Sequence, residues 1–71
     1  MKYMGREFKN YNEYKEFCKQ GNINTYRLYA QTFNEKPSME LSIAMTNLAD
    51  ILVNNFGLTY DEIEEIELST L

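Results

Sequence analysis

The segment PSMELSIAMTNLADILVNNFG, residues 37–57, decides the fold class of this chain. Ser38 has a side chain that caps helix N-termini, and Gly57 stands where a left-handed residue can end a helix. Between them, apolar residues recur at helical spacing, at Leu41, Met45, Leu48, Leu52 and Phe56. Three more apolar residues widen this stripe, namely Ala44, Ala49 and Ile51. A wide stripe is typical of a helix buried on more than one side, so we predict here the longest helix of the chain.

The residues that precede this segment predict a shorter helix. Asn10 and Glu13 have the spacing of a capping box with Asn in the capping position, and Gly21 stands where a C-cap is needed. The aromatic and apolar residues between them follow helical spacing, at Tyr11, Tyr14, Phe17 and Cys18. We therefore predict a helix framed by Asn10 and Gly21, with Cys18 as a core residue on its apolar face.

Residues 25–33 allow two interpretations. Asn24 can cap a helix, in which the apolar positions would be Tyr26, Tyr29, Ala30 and Phe33. The same residues are rich in Thr, Tyr and Phe, which suit a strand, and Leu28 does not fall on the proposed helical face. If 25–33 is a strand, we expect it to pair with residues 2–8.

A last short helix is predicted after Gly57. Thr59 and Glu62 have the spacing of a second capping box, which would open a helix ending near Leu68. Short loops between helices imply antiparallel neighbours. We predict a single all-α domain over residues 1–71, a small antiparallel bundle of three to four helices. The alternative is an α+β fold with short strands at 2–8 and 25–33.

Composition indicates a folded chain without an export or membrane signal. Of its 71 residues, 44% are apolar and 25% are charged, which is too apolar for intrinsic disorder. Cys18 is the single cysteine, so an internal disulfide is impossible. The start MKYMGREFKN lacks an apolar signal region, and polar residues interrupt the apolar stretch 41–53. We expect a cytoplasmic protein that does not enter a membrane.

Charge is segregated along the chain. Seven basic and four acidic residues precede Pro37, whereas seven acidic and no basic residues follow it, so the two parts carry +3 and −7. Such asymmetry points to an electrostatic partner, although acidic residues at helix starts and solvated surfaces also produce it.

The sequence lacks two features on which enzyme chemistry often depends. The chain has no histidine, which removes the commonest general base and metal ligand. Its three glycines, Gly5, Gly21 and Gly57, are too far apart for a phosphate-binding loop. We expect a binding protein rather than an enzyme, with no cofactor and no metal ion.

The segment TYDEIEEIEL, residues 59–68, is the most conspicuous candidate site. At about 100° per residue, Asp61, Glu64 and Glu65 fall on one side of a helix, with Ile63 and Ile66 on the other. One interpretation is a solvated face. In the other, carboxylates imitate a phosphate backbone and dock on a basic protein surface through pairs with Arg and Lys. The predicted docking residues are Asp61, Glu62, Glu64, Glu65 and Glu67.

Two alternatives concern other partners. A nucleic-acid-binding regulator would use a front half resembling a helix-turn-helix, with the basic residues Lys9, Lys15, Lys19 and Arg27. The net charge of −4 argues against it, because such domains usually carry a basic stripe. The other alternative is a homodimer, in which the basic half of one copy meets the acidic half of the second.

In size and composition, with TYDEIEEIEL as local support, the chain resembles short, acidic, Tyr- and Asn-rich proteins of phages and mobile elements, among them anti-CRISPR proteins. This resemblance implies an inhibitor that occupies the nucleic-acid site of a host enzyme. It assigns no role to any single residue.

Overall fold

The computed structural model describes residues 2–3 and 5–71. Met1 and Met4 lie outside the described residues, and Met4 is one position of the predicted strand 2–8. The elements are β1 (Lys2–Tyr3), β2 (Arg6–Glu7), α1 (Tyr11–Glu35), α2 (Met39–Phe56) and α3 (Tyr60–Leu68). The predicted all-α bundle is confirmed, with three helices. The two short strands form an antiparallel hairpin in front of it.

Helix α1 begins as predicted but does not end at Gly21. The side chain of Asn10 accepts a hydrogen bond from the backbone N–H of Glu13 at 2.9 Å, which caps the N-terminus. The helix then continues through Gly21 to Glu35, so that α1 as a whole spans 25 residues. The predicted helix end at Gly21 is wrong, because glycine also tolerates the right-handed conformation and the residues beyond it pack in the core.

Residues 25–33 are helical, so the strand interpretation is wrong. The Oγ1 atom of Thr25 donates to the carbonyl of Gly21 at 2.9 Å, as a threonine inside a helix does. The strand predicted as its partner pairs within itself instead, with Lys2 opposite Glu7. Strands β1 and β2 therefore pair with each other, and neither pairs with residues 25–33.

Helix α2 has the predicted caps. Ser38 Oγ accepts from the N–H of Leu41 at 3.1 Å, and Gly57 takes the left-handed conformation with φ 74°. With 18 residues, α2 is shorter than α1, so the expectation that it is the longest helix is wrong. The difference arises because two predicted front helices are fused into one.

Helix α3 opens with the predicted capping box. The N–H of Glu62 donates to Thr59 Oγ1 at 3.1 Å, and the N–H of Thr59 donates to Glu62 Oε1 at 3.1 Å. Two N–H groups that a helix start leaves without partners are thereby satisfied.

The three helices run up, down and up. Tyr14, near the start of α1, lines the same cleft as Phe56 at the end of α2, so these helices are antiparallel as predicted. Near the other end of α1, the Asn34 Nδ2 group donates to Thr70 Oγ1 at 3.0 Å. Helix α3 therefore runs parallel to α1 and antiparallel to α2.

The main core cluster lies where the three helices meet. Its buried members are Tyr26, Ala30, Met45, Leu48, Ala49, Leu52, Leu58 and Ile63. The predicted α2 stripe supplies half of them, but Ile51 is 42% exposed. Helices α1 and α3 cover adjacent sides of α2 and leave the side with Ile51 open, so the prediction of burial there is wrong.

A second, smaller cluster holds the hairpin to the start of α1. Phe8 is only 2% exposed, and its ring centroid lies 5.5 Å from that of Tyr14 and 5.3 Å from that of Phe17. The guanidinium of Arg6 lies 4.8 Å from the centroid of the Phe17 ring, a cation–π distance. We call Arg6, Phe8, Tyr14 and Phe17 the aromatic cluster. Cys18 is half-buried and lies outside the core cluster, contrary to the prediction.

None of the helices within the described residues combines the length and apolar character needed to cross a bilayer.

Candidate functional site

Helix α3 presents one face to the core and the opposite face to solvent. Ile63 is 5% exposed and packs in the core, and Ile66 lies half-buried beside it. Asp61, Glu64 and Glu65 point away from that contact and are exposed, as the helical period predicts. We call these three residues the acidic face.

Leu68 belongs to the same outward side of α3. It follows Glu64 by four residues and Glu65 by three, the spacing of neighbours on a helix surface. Its side chain is 55% exposed. The acidic face thus borders an exposed apolar side chain, which the sequence analysis did not single out.

The other two predicted docking residues have internal partners. Glu62 closes the capping box with Thr59. Glu67 is half-buried and accepts a long hydrogen bond of 3.5 Å from the hydroxyl of Tyr26. Burial and then the charge of Glu67 raise the pKa of Tyr26 above its ordinary value. The five predicted residues therefore divide into three that face outward and two that fasten α3.

The basic residues of α1 approach one edge of α3. Lys19 and Arg27 line a groove together with Glu62 and Glu65. Opposite charges on the two walls of this groove reduce each other's field. On the other side of α3, the Tyr60 hydroxyl donates to Asp50 Oδ1 at 3.0 Å, and this bond raises the pKa of Tyr60.

The front half does not form a helix-turn-helix. Residues 11–35 are one continuous helix, so the predicted turn at Gly21 is missing from this part of the chain. Three of the four basic residues of that interpretation lie along one side of this helix: Lys15 and Lys19 line a depression with Phe56, and Lys19 and Arg27 line the groove beside α3. The helix-turn-helix geometry is therefore wrong, because α1 packs as a single rod.

A cleft that the sequence analysis missed lies between the first half of α1 and the end of α2. Helix α1 contributes Tyr11, Tyr14, Lys15 and Cys18 to it. Helix α2 contributes its last three residues, Asn54, Asn55 and Phe56. The volume of this cleft, which we call the terminal cleft, is about 480 Å³. About 40 residues of sequence separate the two walls, and only the antiparallel packing brings them together.

The described residues hold no group of three or more Cys, Asp or Glu side chains placed to bind a metal ion. Comparison with protein-family models, curated proteins and solved structures gives no match.

Proposed function

We propose that this chain is a small, non-catalytic binding protein whose acidic face docks on the basic nucleic-acid-binding surface of another protein. The observation that carries this proposal is the exposed trio Asp61, Glu64 and Glu65 on one face of α3. Residues 38–71 contain no Lys or Arg, and Lys19 and Arg27, which line a groove with Glu65, reduce its field on the α1 side alone. A field of one sign steers an oppositely charged partner and fixes its orientation.

The spacing of the acidic face supports imitation of a nucleic acid. With a rise of about 1.5 Å per residue, positions 61 to 65 span about 6 Å of the helix axis. Each DNA strand carries one phosphate per about 3.4 Å of its axis. Three carboxylates over about 6 Å therefore have a linear charge density similar to that of a nucleic-acid strand.

Leu68 supports a protein partner rather than a purely ionic contact. Protein interfaces commonly combine a desolvated apolar or aromatic centre with a polar rim. Leu68 is 55% exposed at the border of the acidic face and offers such a centre. The resemblance in size and composition to phage and mobile-element inhibitors favours a host nuclease or polymerase as the partner.

The test is a charge reversal with a matched control. The variant Glu64→Lys, Glu65→Lys changes the acidic face, and Glu13→Lys, Glu16→Lys makes the same charge change on the exposed start of α1. Immobilised proteins are exposed to a lysate of the source cells, and bound material is eluted with double-stranded DNA. We expect wild type and the control to retain a DNA-eluted protein and the α3 variant to lose it.

Equal retention by both variants would contradict the proposal. Circular dichroism of each variant checks that the helices remain, since neither substitution lies in the core. Retention should also fall as salt rises, because the proposed pairs are partly exposed charges.

The homodimer remains the alternative partner. The outer side of α2 carries exposed apolar residues, among them Met39, Ile43 and Ile51 at 79%, 55% and 42% exposure. Burying them against a second copy would add to a small core. Sedimentation velocity over a concentration series decides this alternative: a single monomeric species at high concentration would remove it.

A further inference from the structure

The terminal cleft has the chemistry of a ligand site and is separate from the acidic face. The chain has eleven acidic residues, yet no acidic side chain lines this cleft among the described residues. Its volume of about 480 Å³ falls in the range of about 300–1,000 Å³ that is usual for small-ligand sites. A concave, acid-free surface on an acidic protein favours an anionic ligand.

Aromatic rings form one wall of the terminal cleft. Tyr11 is 56% exposed, and its ring centroid lies 6.2 Å from that of Tyr14 with the planes tilted by 39°. A tilted pair leaves ring surface of Tyr11 open to a third planar group. Such surfaces stack on nucleic-acid bases, because every base has a π-face.

Polar groups complement the rings from both helices. Lys15 follows Tyr11 by four residues and therefore lies next to it on the helix surface. Asn54 and Asn55 line the opposite wall, and within residues 2–3 and 5–71 neither side-chain amide makes a hydrogen bond. An amide offers both donors and an acceptor, which is what the edge of a base requires.

We propose that the terminal cleft binds one nucleotide, a planar base with a negatively charged phosphate. The base stacks on Tyr11, the amides of Asn54 and Asn55 bond its edge, and the ammonium of Lys15 binds the phosphate. A free nucleoside monophosphate and one residue of a single strand offer the same chemistry. The stacking and the charge are both needed, so a nucleoside without phosphate binds more weakly.

Cys18 supplies a local reporter for this proposal. It is the single cysteine of the chain, half-buried in the cleft wall, so its alkylation reports on this place alone. The rate of alkylation by iodoacetamide is measured with uridine, with uridine and adenosine monophosphates, and with 12-residue oligo(U) and oligo(dT). Fluorescence anisotropy of the labelled oligonucleotides gives affinities over a salt series.

We expect the monophosphates or the 12-mers to slow alkylation of Cys18 and uridine to have a smaller effect. Protection by monophosphates identifies a free nucleotide as a ligand. Protection by the 12-mers alone identifies a residue of a single strand. Equal protection by uridine and its monophosphate, or no protection by any of these probes, would overturn the proposal.

Variants with matched controls locate the contact. Tyr11→Ala should weaken binding at least about fivefold through lost stacking, whereas Tyr60→Ala, at an equally exposed first residue of a helix, should not. Lys15→Ala should make the slope of log affinity against log salt shallower by about 0.7, as loss of one phosphate contact on a single strand does. Lys36→Ala, another exposed lysine of this chain, should leave the slope unchanged.

Binding that survives Tyr11→Ala and Lys15→Ala unchanged would also overturn the proposal. Nucleotide binding in the terminal cleft and the proposed function of the acidic face can be refuted independently of each other. Glu64→Lys, Glu65→Lys should leave nucleotide protection of Cys18 intact, whatever its effect on a protein partner.

Discussion

The two halves of α1 share one helix but pack differently. One line of positions, three and four residues apart, runs along the whole helix through Asn12, Glu16, Lys19, Ile23, Tyr26, Ala30 and Phe33. In the second half this line is apolar and packs in or against the core. In the first half it is polar and lies beside Phe56 at the open end of α2.

The apolar residues of the first half lie on another side of the helix. There Tyr14 and Phe17 join Phe8 of the hairpin in the aromatic cluster. One helix can therefore serve two separate clusters when its apolar stripe changes face along its length. The polar positions of the first half, Asn12, Glu16 and Lys19, line a depression beside Phe56 that adjoins the terminal cleft.

The largest expected effect on stability comes from a substitution in the core cluster, and it is compared with one in the aromatic cluster. Leu52 is fully buried in the core, so Leu52→Ala should lower the free energy of unfolding of the whole bundle by about 2–5 kcal/mol. Phe8→Ala should release the hairpin and the first turns of α1 while changing global unfolding by less than about 1 kcal/mol, because local opening avoids the full cost. Thermal unfolding gives the global effect, and amide hydrogen exchange of residues 11–18 gives the local one. Equal loss of global stability in both variants would mean that the halves unfold as one unit.

Alanine substitutions at Gly21 and Gly57 compare a glycine inside a helix with a glycine at a helix end. Gly21 lies inside the helix, and a Cβ atom built there has no neighbour within 4 Å, so Gly21→Ala should stabilise the protein by about 0.5–1 kcal/mol. Gly57 has φ 74°, so Gly57→Ala should destabilise it by about 1–2 kcal/mol despite equal space. Urea unfolding of the two variants measures both effects. Destabilisation by Gly21→Ala would contradict a continuous α1 and support the predicted helix end at Gly21.

The smallest effect concerns the attachment of α3 to the second half of α1. Tyr26 has a raised pKa, so below the ordinary tyrosine value of about 10 both folded and unfolded states are protonated and its contribution to stability is complete. As pH rises above about 10, the unfolded state loses its proton first and stability falls. Tyr26→Phe should flatten this fall while costing less than about 1 kcal/mol at neutral pH, because it removes one long hydrogen bond. Urea unfolding between pH 8 and 11 checks it, with Tyr11→Phe, at an exposed tyrosine of α1, as the control. Identical profiles for wild type and Tyr26→Phe would contradict it.

The candidate site was predictable where helical periodicity alone decides orientation. Asp61, Glu64 and Glu65 face outward as the spacing predicts. Helical periodicity alone could not predict the role of Glu62 and Glu67, because each side chain bonds to a partner within the protein. The capping box that holds Glu62 is visible in the sequence, but Glu67 meets Tyr26 across 41 positions of chain.

The sequence by itself favoured the all-α class over an α+β alternative, and it determined the caps at Asn10, Ser38, Gly57 and Thr59 and the segregation of charge. Each depends on neighbours within a few residues, where side-chain chemistry and backbone preference act directly. The tertiary structure alone decided that α1 continues through Gly21, that Ile51 stays exposed, and that Tyr11 meets Asn54 across a cleft. Glycine is compatible with either a helix end or a helix interior, so packing of the residues beyond it makes the choice. The terminal cleft lies between residues of two different helices, and no local pattern in the chain encodes how those helices pack against each other.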